Sequence, residues 1–191
     1  MSFLRLPMSR LTVKIKPRKC VICKALFEKR SMSHVACSPA CAQEVAKAKA
    51  VKAEKASDAV RKEALKSRSD HLREAQAAFN AYIRARDINQ PCISCQRHHQ
   101  GAHDAGHFKS VGAHPELRFN EFNVHKQCVP CNMNLSGNVH NYRANLVRIF
   151  GADRVEELEQ QQPAAKYTIE DAKAIKAKYR AKLKQLLLET K

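Results

Sequence analysis

Two Cys-x-x-Cys pairs, Cys92–Cys95 and Cys128–Cys131, stand 32 residues apart in a chain of 191 residues. Four thiolates in two such knuckles suit tetrahedral Zn²⁺ with every position filled, so this metal is a structural pin that leaves no place for a reacting water. A second set precedes it: Cys20–Cys23, thirteen residues, then Cys37–Cys41. About twenty residues cannot bury enough surface to fold unaided, so this segment reads as a zinc-stapled finger of treble-clef type: a knuckle, a hairpin, and a helix starting at the second pair. All eight cysteines divide into these two Cys₄ sets.

The chain carries 35 Lys plus Arg against 18 Asp plus Glu, a formal charge of +17. That excess favours a polyanionic partner, nucleic acid above all, although ribosome or membrane-surface binding would give the same charge. Aromatic residues make up 6% and Trp is absent, so a single large core is not expected. No stretch approaches the roughly 18 consecutive apolar residues of a membrane span. The N-terminus is too basic and too interrupted for a signal peptide. These features predict a cytoplasmic protein with reduced cysteines and no membrane partner.

Five segments follow from composition. Residues 1–19, with Pro7 and Pro17, read as a flexible basic arm. Residues 20–41 are the Cys₄ finger. Residues 42–86, rich in Ala, Lys, Glu and Arg without Pro or Gly, read as a basic helical region. Its first part carries only a thin apolar stripe and is either a solvated helix or one lying along a phosphate backbone. A break is expected near Ser67 to Asp70, with Ser69 or Asp70 capping a second helix that carries Leu72, Ala75, Phe79, Tyr82 and Ile83. Residues 87–150 hold the chemistry and end in a helix from Asn138 to Phe150 with Gly151 as its C-terminal cap. Residues 151–191 hold C-terminal helices: a short acidic one, a Gln160–Pro163 linker, and a last helix. That last helix starts at Thr168 with Asp171 in a capping-box-like arrangement and bears a stripe of Ile169, Ala172, Ile175, Tyr179, Leu183 and Leu186. The fold class is thus α+β, mostly helical.

Within the central loop, His107 stands out among several histidines. It follows Gly106, it precedes a strand-like Phe108, and Asp104 lies close in sequence. Its imidazole can accept a proton from water near neutral pH; a surface histidine is the plain alternative. Asn132 directly follows the last pin cysteine, so the zinc fixes its position. It is either a helix N-cap or a ligand of a catalytic cation. A histidine base beside a hard-cation ligand is what metal-assisted phosphodiester hydrolysis requires. Arg118 and Lys126 are candidate phosphate contacts, with a structural ion pair as the alternative for Arg118.

The order Cys-x₂-Cys, His, Asn, Cys-x₂-Cys-Asn resembles the HNH or His-Me-finger nucleases, which share a ββα-metal fold. The zinc-pinned form resembles the junction resolvases of T-even phages. More closely, Asp104-Ala105-Gly106-His107, the string from Leu117 to Cys128, and Ser136-Gly137-Asn138 resemble the lambdoid phage NinG (Rap) recombination proteins. The finger, the Lys-rich helix and the tail from Thr168 to Ala177 extend that resemblance over most of the chain. It implies a zinc-pinned, HNH-like core in which His107 is the general base and Asn123 braces the loop. Asn132 would bind Mg²⁺ or Mn²⁺, with Asp104 as the nearest second ligand, because the family's usual ligand position before the base is here Gly106. It also implies branched DNA as substrate, a homodimer that makes paired nicks, and recombination-protein partners. Two other readings remain: a non-catalytic zinc-finger DNA- or RNA-binding protein, and a recombination adaptor working through the C-terminal helix.

Overall fold

The computed structural model describes residues 16–160 and 163–189. The expected arm therefore lies outside the described residues over positions 1–15, as do residues 161 and 162 of the expected linker. The chain divides into two compact units, Met1–Leu65 and Lys66–Lys191.

In the first unit a two-residue hairpin pairs β1 (Arg18–Lys19) with β2 (Leu26–Phe27). The Cys20–Cys23 knuckle lies between them: Lys24 N–H donates to the Cys20 carbonyl at 3.0 Å, and Cys20 N–H to the Ala25 carbonyl at 2.8 Å. Lys24 takes a left-handed φ of 63° to close this turn. Helix α1 (Pro39–Ala64) starts where Ser38 accepts from Cys41 N–H and Pro39 presets the first helical turn. The treble-clef-like order of knuckle, hairpin and helix is therefore present. Helix α1 has no buried residue, as its thin stripe of Ala and Val predicts.

The second unit opens with α2 (Arg68–Arg86). Its cap is Ser67 rather than Ser69 or Asp70. Asp70 serves instead as the third helical residue, returning a carboxylate to Ser67 N–H and completing a capping box. This cap separates α2 from α1, so the basic stretch 42–86 falls into both units. Ala75, Phe79 and Ile83 are buried along α2.

Strands β3 (His103–His107) and β4 (Val124–Cys128) pair antiparallel without a bulge, His103 opposite Cys128 and His107 opposite Val124. One hairpin face carries Ala105 and Val124 and packs with Phe79, Ile83 and Tyr179. A second cluster joins Ile93, Phe108, Leu117, Tyr142, Leu146, Val155 and Leu158. After β4, Pro130–Asn134 forms one wide, π-type helical turn. Helices α3 (Val139–Phe150) and α4 (Ala152–Glu159) follow, separated by Gly151 at φ 92°. Helix α5 (Ile169–Glu189) buries Ala172 and Tyr179, and Thr168 and Asp171 exchange hydrogen bonds at its start. Mixed α+β and mostly helical, the fold matches its expected class. Among the described residues no helix is long and apolar enough to cross a membrane.

Candidate functional site

All eight cysteines are free thiols. In each set the four Sγ atoms lie within 4.8 Å of one another. Thiolates held about 2.3 Å from zinc at tetrahedral angles stand roughly 3.8 Å apart. The Cys37–Cys41 pair at 3.8 Å and Cys95–Cys128 at 3.9 Å meet that separation, while Cys23–Cys37 at 3.3 Å is tighter. Both clusters could hold zinc. Burial pushes the Cys20 thiol up, but backbone N–H groups of Cys37, Cys23 and Ile22 outweigh it and draw the pKa down to about 6. In the central set burial likewise opposes, and the backbone groups of Cys95, Cys128 and Ser94 again win, so Cys92 also titrates low. Oriented backbone donors favour the thiolate at Cys20 and Cys92, while the Cys23 thiol pushes Cys37, and burial pushes Cys128, up to about 12.

The central cluster pins the hairpin. Cys128 is the last residue of β4 and Cys131 lies in the wide turn that follows. On the other side Cys92 N–H donates to the Arg97 carbonyl, and Ile93 N–H to the Lys126 carbonyl of β4 at 2.9 Å. His99, which no spacing rule singled out, places Nε2 3.2 Å from Cys95 Sγ.

Strand alternation sorts the candidate residues. Side chains three apart on a strand point to opposite faces, so Asp104 and His107 do not share one. Asp104 lies with Gly106, His125 and Gln127. There Asn132 Nδ2 donates to Asp104 Oδ2 at 2.9 Å. Asn132 sits inside the wide turn and makes no capping bond, so it is not an N-cap. His107, on the other face, is half-buried near Phe79, with ring centroids 6.4 Å apart. Its Nε2 lies 3.1 Å from the Arg118 carbonyl oxygen. A carbonyl only accepts, so Nε2 carries the proton and Nδ1 keeps the basic lone pair. Burial lowers the His107 pKa below its usual value, against an upward pull from the Arg118 and Ala105 carbonyls.

Asn123 is fully buried and ties the β3–β4 connection together. Its Oδ1 accepts from Lys109 N–H at 2.8 Å, and its Nδ2 donates to the carbonyls of Lys109 (3.0 Å) and Leu117 (3.2 Å). Arg118 donates from Nε to Gln76 at 2.8 Å and lies over the Phe119 ring, so it is anchored in the fold. Lys126 differs from expectation. It is buried on the α2 face, its Nζ donates to the Ile88 carbonyl at 2.7 Å, and its backbone N–H binds Asp87. Both faces of β4 are covered, and position 126 lies on the one that carries Val124 against α2, so this lysine is not a surface phosphate contact.

Gly106 has a steric reason. A Cβ there would overlap the Gln127 amide oxygen and stand 2.9 Å from Gln127 Cβ and Cδ. The Gln127 Nε2 donates to Ser94 Oγ at 2.7 Å and to the Gly137 carbonyl, while its buried Oε1 has no partner. Sequence reasoning missed Gln127; counting back from Cys128 along an alternating strand opposite Asp104 would have found it.

Comparison with known proteins settles the family. The model of the family described as Bacteriophage Lambda NinG protein matches residues 12–189. The chain belongs to the NinG family. It is 41% identical to Protein ninG of Escherichia phage 933W over 187 residues, covering 88% of this chain and 93% of that protein. It is 50% identical to Protein ninG of Escherichia phage lambda over 127 residues, 66% of this chain and 62% of that protein. Protein ninG of Salmonella phage P22 is 48% identical over 127 residues, 66% of this chain and 63% of that protein. No solved structure matches the chain.

Proposed function

We propose that this NinG-family chain is a structure-specific, metal-dependent DNA endonuclease. On this reading it hydrolyses phosphodiester bonds at branched DNA, such as Holliday junctions and D-loops, in phage homologous recombination. The observation that carries the reading is the hairpin itself. A half-buried histidine of fixed tautomer ends β3, a buried asparagine locks the connection, and an Asp–Asn pair lies on the strand's other face beside a Cys₄ pin. This arrangement supports an HNH-like core.

Burial keeps His107 unprotonated at neutral pH, and the Arg118 carbonyl holds Nε2–H so that Nδ1 takes the proton from an attacking water. Asn123 keeps the connection, and with it the imidazole, in place. Asp104 and Asn132 would supply side-chain oxygens to Mg²⁺ or Mn²⁺. Such a cation would stabilise charge on the phosphate and the leaving 3′ oxygen. Attacking and leaving oxygens stand on opposite sides of phosphorus in an in-line displacement. Strand alternation puts His107 and the Asp104–Asn132 pair on opposite faces of β3, so on this reading the scissile phosphate reaches both around the end of the strand. Paired nicks in a junction need two such sites, so the proposal includes a homodimer.

Incubating the full chain with a labelled synthetic four-way junction and a matched linear duplex, with and without Mg²⁺ or Mn²⁺, tests the reading. Cation-dependent cutting of the junction alone is expected. Binding without cutting would leave the non-catalytic readings, a DNA-binding zinc protein or a recombination adaptor, which the wholly unburied basic helix α1 favours.

A further inference from the structure

The second unit contains a cleft of about 610 Å³ that none of this chemistry uses. Three rings form its aromatic wall. Phe122 and Phe150 meet edge to face at 5.0 Å, and His125 lies 5.5 Å from Phe150 and 6.1 Å from Phe122. The Arg154 guanidinium stands 4.6 Å over the Phe122 ring at the exposed rim. Two acids also line the cleft, and both are already paired: Asp87 with Arg86 at 2.6 Å, and Glu121 with Lys182 and the Tyr179 hydroxyl. The charge left at the rim is therefore positive. The amide of Gln90 lines the same wall and can both donate and accept.

The cleft is wired to the hairpin. Tyr142 donates its hydroxyl proton to the Gly106 carbonyl at 3.0 Å, so the hydrogen bond between His125 Nδ1 and Tyr142 at 3.2 Å must be donated by the histidine. One buried chain of two hydrogen bonds thus joins the aromatic wall to the residue immediately before His107.

We infer that this cleft receives an unpaired nucleotide at the branch point of a DNA substrate, its base stacked on Phe150 and edge-on to Phe122, and its phosphate at Arg154. Flat aromatic walls bind flat rings by stacking, a rim cation binds the attached anion, and base–aromatic stacking tolerates any sequence. The volume lies within the range of small-ligand sites and accommodates one nucleotide. In a chain of net charge +17 the partner combining a planar ring with a phosphate is nucleic acid. A D-loop carries single-stranded bases, and the pairs flanking a four-way branch open at lower cost than pairs inside a closed duplex. The inference rests on the proposed DNA substrate but not on cutting.

A four-way junction carrying 5-iodouracil at the branch tests it, with the full zinc-loaded chain and no Mg²⁺ or Mn²⁺. Irradiation should crosslink the base to a peptide containing Phe122 or Phe150, and the matched duplex with the label mid-helix should not crosslink there. Phe150→Ala should remove the crosslink and weaken junction binding about 10-fold, in line with the loss of one stacking contact. Because Phe150 also packs against the Tyr142 cluster, Arg154→Glu serves as the second variant. It lies on the surface and should weaken junction binding several-fold with melting temperature unchanged. His107→Ala should crosslink as the parent does. A crosslink mapping elsewhere, or junction affinity untouched by both cleft variants, overturns the inference. A crosslink in the cleft of a chain that never cuts DNA would uphold it and remove the nuclease reading.

Discussion

The first pair of each cysteine centre sits in the same backbone knuckle. Lys24 N–H returns to the Cys20 carbonyl and Gln96 N–H to the Cys92 carbonyl, and both closing residues are left-handed, at φ 63° and 57°. Beyond the knuckle the centres diverge. In the first unit Cys23 and Cys37 are exposed, and Cys20 and Ala36 are the only buried apolar residues among those described. In the second unit Cys92, Cys128 and Cys131 are all buried, and Ile93 beside them belongs to an apolar cluster of seven buried residues. The same thiolate chemistry therefore carries different loads. The finger has little to hold it besides its cysteine cluster, which could bind zinc. The central cluster is one of several constraints on a hairpin that packing and buried amides also fix, so its side chains are held in place by more than the cysteines.

The largest effect should come from breaking a pin. Cys92→Ser should lower the melting temperature of the second unit by about 10 °C or more and, on the proposed reading, abolish junction cutting, because zinc bound there would be folding energy. Cys23→Ser should instead remove hydrogen-exchange protection from residues 18–37 and leave the melting of the second unit unchanged. Equal effects from the two variants would break the comparison.

Two further substitutions sharpen it within the hairpin. Asn123→Ala strands the Lys109 N–H and the Lys109 and Leu117 carbonyls, and should cost about 3 kcal/mol in urea unfolding. Gly106→Ala drives a methyl into the Gln127 amide and should cost about 2 kcal/mol. A neutral Gly106→Ala would mean that Gln127 does not occupy that space.

Acid provides the next test. Burial, reinforced by Arg86 and opposed by Asp87, holds the His125 pKa down to about 4. The unfolded chain takes up this proton near pH 6.5 and the folded chain only near pH 4, so stability is full above about 6.5 and declines as pH falls toward 4. His125→Gln should flatten that part of the curve, a difference on the order of 3 kcal/mol; an unchanged slope would show that His125 is not buried neutral. The smallest effect, about 1 kcal/mol, is expected from Ser67→Ala, which removes the α2 capping box.

Local signals carried much of this fold. Ser38-Pro39 starts α1, Thr168 and Asp171 start α5, and Gly151 ends α3, each within a few residues of what it controls. The two Cys₄ sets were legible because metal spacing is itself a short-range code. What sequence could not carry was facing. Asp104 and His107 are near neighbours in the chain but lie on opposite faces because both stand on one strand, and Lys126 is buried because α2 packs over its face of β4. The aromatic cleft was invisible for a related reason: Phe122, His125 and Phe150 come from a loop, a strand and a helix, and only packing brings them together.

The most direct test of the central claim is junction cleavage by His107→Ala beside the parent chain, in Mg²⁺ or Mn²⁺, with zinc content and junction affinity measured on the same preparations. Cutting reduced by 10²-fold or more, with zinc and affinity unchanged, is the predicted result for loss of a general base. Cutting that persists at the parent rate, or that falls only together with affinity or zinc, would contradict it.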